Sequence, residues 1–274
     1  MPLVVVLAGV LGAAIGSFLN VVIYRVPAGR SIVSPPSACP HCGHGIDWYD
    51  NVPVVSWLVL RAKCRNCHAP ISARYPLVEL GTALFFVAVA FRFAETLTAA
   101  TTAPATAAGV LLLVAFLYLA AVSVTLAMID LDTHRLPNAI VLPGYIVGLV
   151  TLGAAALLTE DGDAAVRAII GGAALFAVYF LMTVVYPGGM GFGDVKLAGV
   201  LGLFLGFLGW GELAVGAFAA FALGGLFGVI LLVARRAGGK TRIPFGPWML
   251  LGAWVGIFFG DSLWTAYLGL FGLA

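Results

Sequence analysis

The chain has 274 residues, 62% of them hydrophobic and only 9% charged, with a mean hydropathy of +1.09 and a formal net charge of +2. A soluble domain of this length cannot hide so much apolar surface, and the apolar runs reach the ~20 residues needed to span a bilayer. The composition excludes a water-soluble globular protein, and no nucleic-acid partner is expected.

Eight membrane spans are predicted, at roughly 2–24, 76–92, 107–129, 138–158, 165–186, 193–210, 212–233 and 246–272. The loops after spans one, three, five and seven hold Arg25, Arg30, Arg61, Lys63, Arg65, Arg74, Arg135, Lys196, Arg235, Arg236, Lys240 and Arg242, which is 12 of the 14 basic residues. The opposite side keeps Arg92 and Arg167, with Glu95, Glu160, Asp161, Asp163 and Glu212. Positive charge stays in the cytoplasm, so these odd-numbered loops are expected there and both termini outside. The expected fold is an all-α polytopic membrane protein of about eight transmembrane helices, with a small cytoplasmic zinc-ribbon-like insert after the first. Its organisation would be a first helix (1–24), the insert (25–75) and a seven-helix membrane domain (76–274).

The first span lacks a basic n-region and a clear cleavage site, so it reads as a retained helix rather than a signal peptide. Gly9, Gly12, Gly16 and Asn20 follow one another at helical spacing on one face. Such a stripe suits close helix packing with a polar group at one end, and Asn20 lining a site is the alternative.

The insert carries all four cysteines, as Cys39-Pro40-His41-Cys42 and Cys64-Arg65-Asn66-Cys67. Two C-x-x-C knuckles 21 residues apart have the spacing of a tetrathiolate zinc ribbon. Gly43 eases the turn after the first knuckle. A cytoplasmic location argues against structural disulfides, and no βαβ context supports a dithiol redox site. His41, His44 and His68 lie near, but four Cys already close a structural site. Metal binding would supply folding energy to a segment too small for much of a core. Trp48, Tyr49, Trp57 and Tyr75 are expected to pack this mini-domain and its membrane-facing rim.

Two carboxylates stand where apolar runs meet the cytoplasmic face. Asp194 sits in Gly188-Gly189-Met190-Gly191-Phe192-Gly193-Asp194-Val195-Lys196, at the mouth of span six behind a run of glycines. Asp130 directly ends the apolar run of span three, before Leu131-Asp132-Thr133-His134-Arg135-Leu136-Pro137-Asn138. An ionisable group at that depth suggests function, although Asp is also a good helix N-cap. Asp132, His134 and Arg135 read as an ordinary connector. Carboxylates within ~3 Å of each other share one proton. The ionised member can then activate water while the protonated one polarises a carbonyl, which is aspartic-protease chemistry.

At this point the chain resembles the type IV prepilin peptidases, bifunctional leader peptidases and N-methyltransferases. The likeness is carried by Gly16-Ser17-Phe18-Leu19-Asn20-Val21-Val22-Ile23-Tyr24-Arg25, by both knuckles, and by Arg74-Tyr75-Pro76-Leu77-Val78-Glu79-Leu80. It continues through Asp130 to Asn138 and Gly191-Phe192-Gly193-Asp194-Val195-Lys196. The resemblance implies Asp130 and Asp194 as the catalytic pair, with Asp132 a decoy and Gly191 and Gly193 in support. Substrates would be prepilins or pseudopilins of type II secretion, cut after a leader Gly at the cytoplasmic face of the bacterial inner membrane. The new N-terminus would then be methylated with S-adenosylmethionine. No G-x-G-x-x-G fingerprint is present to hold that cofactor. Glu79 is a candidate there, unless Arg25 or Arg74 merely neutralises it.

Gly199, Gly202, Gly206 and Gly209 form one face of span six, suited either to tight packing or to a groove for a substrate helix. The basic loop at Arg235–Arg242 would meet anionic lipid headgroups. Asp261 has no functional reading, and the oligomeric state is open. The rival readings are a membrane scaffold that recruits a partner through its zinc ribbon, and a small transporter. A transporter favours mid-membrane carboxylates in repeated, interrupted helices, and no internal repeat is found.

Overall fold

A computed structural model describes residues 2–187, 189–234 and 244–273. Gly188 and the basic loop at 235–243 fall outside the described residues. The chain forms two compact units. One comprises Met1–Ala99 with Phe116–Thr125, the other Ala100–Ala115 with Leu126–Ala274. Among the described residues the regular structure is helical, apart from two isolated β-bridges in the insert.

In the first unit, α1 (Pro2–Arg25) lies along α3 (Arg74–Arg92). Between them run a 3-10 turn (Trp48–Asn51) and the short helix α2 (Val55–Val59), and α4 (Ala94–Ala99) follows. The glycine stripe of α1 is the surface that meets α3. A methyl added at Gly12 would lie 2.8 Å from Ala83 Cα, and one at Gly16 would lie 2.7 Å from Glu79 Cα. At Gly9 it would lie 3.1 Å from Val87 Cγ2. Backbones this close gain dispersion contacts that larger residues would block. Asn20 ends the stripe by donating Nδ2 to Tyr75 O at 3.2 Å, so the packing reading holds along its whole length. Thr82, fully buried in this interface, satisfies its hydroxyl within α3 by donating to Val78 O at 2.7 Å. Gly12→Leu is expected to force α1 away from α3, with ~1–3 kcal/mol of overpacking cost or more. A lowered midpoint of thermal unfolding in detergent would show it, and an unchanged midpoint would contradict the packing.

In the second unit, α6 (Asn138–Thr159), α7 (Gly162–Val185), α9 (Trp210–Val233) and α10 (Gly246–Gly269) pack with α8 (Phe192–Leu208). The ends of α5 (Ala103–Thr133) belong here, and its middle turns belong to the first unit. From Val195 to Gly206 every residue of α8 except Lys196 is buried. The glycine face of α8 is filled by α7. A methyl at Gly206 would lie 2.5 Å from Arg167 O, and one at Gly202 would collide with Gly171 O. Reciprocally, a methyl at Gly171 would lie 2.6 Å from Gly202 O. Of the two roles expected for this face it serves tight packing, and it leaves no groove against α7.

Seven of the described helices, α1, α3, α5, α6, α7, α9 and α10, are long and apolar enough to cross a membrane, so this is a multi-pass membrane protein. The remaining expected span, span six at 193–210, is α8 with 17 residues, about 26 Å at the α-helical rise. Being enclosed by its neighbours, it needs less length than a helix that must match lipid.

Candidate active site and metal centre

Asp130 and Asp194 come to one end of the second unit. The run of apolar residues ending at Ile129 does not end the helix: α5 continues through Thr133 and is closed by His134 in the left-handed conformation (φ 53°). Asp130 therefore sits in the last helical turns rather than in a loop. Its side chain is buried at 5% exposure, and Asp132, two residues on, is exposed. This is the helical phase at work, since residues two apart point to different sides.

Asp194 is in the first turn of α8. Its Oδ2 accepts the Gly191 N–H at 3.0 Å, and its own N–H donates to Gly191 O at 3.0 Å. Asp194 thus does what a helix-capping residue does, while lying within electrostatic range of Asp130. Gly191 and Gly193 are small for concrete reasons. A methyl at Gly191 would lie 3.3 Å from Asp194 Oδ2, and one at Gly193 would lie 3.0 Å from Leu136 Cβ.

The third contributor was invisible to sequence reading. Gly246, at the start of α10, donates its N–H to Asp130 Oδ2 at 3.0 Å. A methyl there would lie 2.7 Å from the same oxygen and 3.3 Å from Leu136 Cδ2. Leu136 thus touches the glycine beside each aspartate. Phe245 fixes the approach of α10 by joining Tyr179 and Phe221 in an aromatic cluster with centroids 5.4–6.3 Å apart. On the other flank, Lys196 Nζ reaches Asn138 Oδ1 at 2.9 Å and lies 4.9 Å from the Phe192 ring centroid. Tyr145 donates its hydroxyl to Lys196 O at 2.8 Å. These contacts steady the first turn of α8 against α6. The Phe245–Gly246–Pro247 sequence was the only available signal, and it lies 116 residues from Asp130.

In the insert, the four cysteine sulfurs lie within 4.8 Å of one another. Cys39 and Cys67 Sγ are 3.7 Å apart, against ~3.8 Å for the edge of a tetrahedron with 2.3 Å metal–sulfur bonds. The donor set fits a closed four-sulfur metal site. The two knuckles repeat each other. Gly43 N donates to Cys39 O at 2.9 Å and His68 N donates to Cys64 O at 3.0 Å. Gly43 (φ 71°) and His68 (φ 58°) take the same left-handed turn. His68 therefore holds a backbone position rather than acting as a ligand, and His41 and His44 are exposed. Backbone N–H groups, that of Cys42 first, hold the Cys39 thiol below its ordinary range, and the His44 amide does the same for Cys42. The Ala69 amide pulls the Cys67 thiol down, but burial and the three neighbouring thiols outweigh it and push it up to about 11. Four sulfurs competing in this way for protons make an arrangement that a cation relieves.

The second knuckle is tied down by Arg65, whose guanidinium grips Asp50 through Nη2–Oδ1 at 2.6 Å and Nε–Oδ2 at 2.8 Å. That hydrogen bonding holds the Asp50 carboxyl below its usual range. Glu79 is buried and its Oε2 accepts the Val54 N–H at 2.7 Å, with the Ser17 hydroxyl as a further donor.

Known proteins resemble this chain over nearly its whole length. Residues 117–231 match the type IV leader peptidase family, and residues 10–93 match the bacterial peptidase A24 N-terminal domain. The chain is 36% identical to a prepilin leader peptidase/N-methyltransferase of Stutzerimonas stutzeri, over 97% of this chain and 95% of that protein. It is also 36% identical to the protein of the same name from Pseudomonas aeruginosa, over 97% and 94%. With that of Myxococcus xanthus the identity is 42%, over 88% of this chain and 67% of the relative. No solved structure matches the chain.

Proposed function

We propose, because this chain belongs to the type IV leader peptidase family, that Asp130 and Asp194 form the aspartic dyad with which it removes prepilin leaders. The observation that carries the reading is the buried Asp130 carboxylate held by Gly246 N–H, with Leu136 lying against both Gly246 and Gly193, the residue before Asp194. The pair shares a proton. One carboxylate takes a proton from water as that water attacks the carbonyl of the leader Gly, and the other donates to the carbonyl oxygen. Collapse of the tetrahedral intermediate returns a proton to the leaving amine, which becomes the new N-terminus. Gly246 N–H and Gly191 N–H each hold one carboxylate oxygen, so the other oxygens are left for water and substrate.

The substrates are prepilins or type II secretion pseudopilins, cut at the cytoplasmic face of the bacterial inner membrane. The charge distribution supports that side for the dyad and the insert. The enzyme is also an N-methyltransferase, and S-adenosylmethionine supplies an electrophilic methyl group to the freed amine. Glu79 is the candidate for that donor's site; it is 9% exposed and keeps Oε2 on Val54 N–H. The methyl-transfer half rests on family membership.

Residues 25–75 form the metal-binding insert, with zinc on Cys39, Cys42, Cys64 and Cys67. Metal analysis of purified protein is expected to find stoichiometric zinc, and its removal by a strong chelator should open the insert to trypsin at Arg61 and Lys63. Metal-free protein with the same trypsin resistance would contradict a structural metal. The function as a whole is tested with purified protein in detergent, a synthetic prepilin and S-adenosylmethionine, followed by mass. Leader loss and then a gain of one methyl are expected, and an uncut prepilin would count against the assignment.

A further inference from the structure

We infer that α2 is an interfacial wedge, whose exposed apolar face dips into the cytoplasmic leaflet beside α3 and binds lipid. Val55, Leu58 and Val59 stand at i, i+3 and i+4, which puts them on one face, and they are 54%, 61% and 69% exposed. The other side of the segment is fully used. Ser56 donates its hydroxyl to Tyr49 O at 2.9 Å and accepts the Val52 N–H at 2.9 Å, and Trp57 Nε1 donates to Ile71 O at 3.1 Å. The helix is therefore fixed with its apolar face turned outward.

Its depth is set by Glu79. That residue is the sixth of α3, about 7–8 Å along the axis from Arg74 at the α-helical rise, and its carboxylate holds the Val54 N–H. Thus α2 starts level with the second turn of a membrane-spanning helix. On α3 the residues flanking Glu79, Leu77 and Leu80, are themselves 65% and 45% exposed, as lipid-facing residues are. An interfacial helix buries its apolar face ~5–10 Å into the headgroup and acyl boundary, the depth this anchor gives. Val54 has φ 61°, a region a β-branched residue rarely enters, so the chain accepts local strain where the Glu79 bond aims the helix. Immediately after α2, Arg61 and Lys63 are exposed and suited to anionic headgroups. Lipid is the occupant that meets both features, apolar beneath and anionic beside.

The test places the photo-crosslinking residue p-benzoylphenylalanine at Leu58, at Val59 or, as a control, at Val33, which is 84% exposed elsewhere in the insert. Each protein is irradiated in nanodiscs of phosphatidylethanolamine and phosphatidylglycerol, with and without prepilin. Lipid adducts several-fold more abundant at positions 58 and 59 than at 33, and undiminished by prepilin, are expected. Adducts no more abundant than at position 33, or a cross-link to prepilin in place of lipid, would overturn the wedge. Because the readout is a lipid adduct, failure of the peptidase assignment would leave the result standing.

Discussion

Replacing either Asp130 or Asp194 by Asn is expected to lower the single-turnover rate of prepilin cleavage by about 10²–10⁴-fold, the share commonly carried by acid–base catalysis. Asn keeps the shape and one carbonyl acceptor, so the Gly191 cap and the Gly246 bond can persist while proton exchange is lost. The double variant should be little worse than either single one, because two residues sharing one proton act as a unit and their losses do not add. Asp132→Asn should cut at close to the wild-type rate, since that side chain is exposed and points away from Asp130. If the losses instead multiplied in the double variant, the two carboxylates would be working separately.

Gly246→Ala is expected to be the most damaging change away from the aspartates. The added methyl would lie 2.7 Å from Asp130 Oδ2, so the carboxylate or the start of α10 must move. A shift of about 1 Å at a catalytic group can cost 10²-fold, and here it should appear in kcat with KM little changed. Alanine favours helix over glycine, so α10 should not be weakened and thermal stability should hold. Gly153→Ala is a suitable control, because nothing lies within 4 Å of a methyl there. Equal losses in the two variants, or a Gly246→Ala enzyme of normal kcat, would remove Gly246 from the site.

The contrast between these residues explains what could be read from the chain alone. Membrane spans, the knuckles and the two aspartates are local features. Each is announced by an apolar run, a fixed cysteine spacing or a charge where charge is expensive. The α1 stripe of Gly9, Gly12, Gly16 and Asn20 is local too, and α3 occupies it from end to end. Gly246 carries no such mark. Its role depends on tertiary packing that brings the start of α10 to the end of α5, and glycines are common in membrane helices. The bond from Val54 to Glu79 was hidden for the same reason: an arginine was the expected partner for that carboxylate, and a backbone amide 25 residues away reached it. For the glycines of α8, periodicity identified a face without saying what fills it, and only the approach of α7 to Gly202 and Gly206 decides between packing and groove.

Direct attack on the prepilin by water activated by Asp130 and Asp194 is the expected chemistry. It is tested most directly by intact-mass spectrometry of a single turnover in ¹⁸O-labelled water, run with wild type and both Asn variants. A released leader whose terminal glycine carboxylate carries ¹⁸O, an enzyme of unchanged mass at every time point, and no release by either variant are expected. An enzyme transiently heavier by the leader's acyl group (the leader less one water), or undiminished release by both Asn variants, would overturn it.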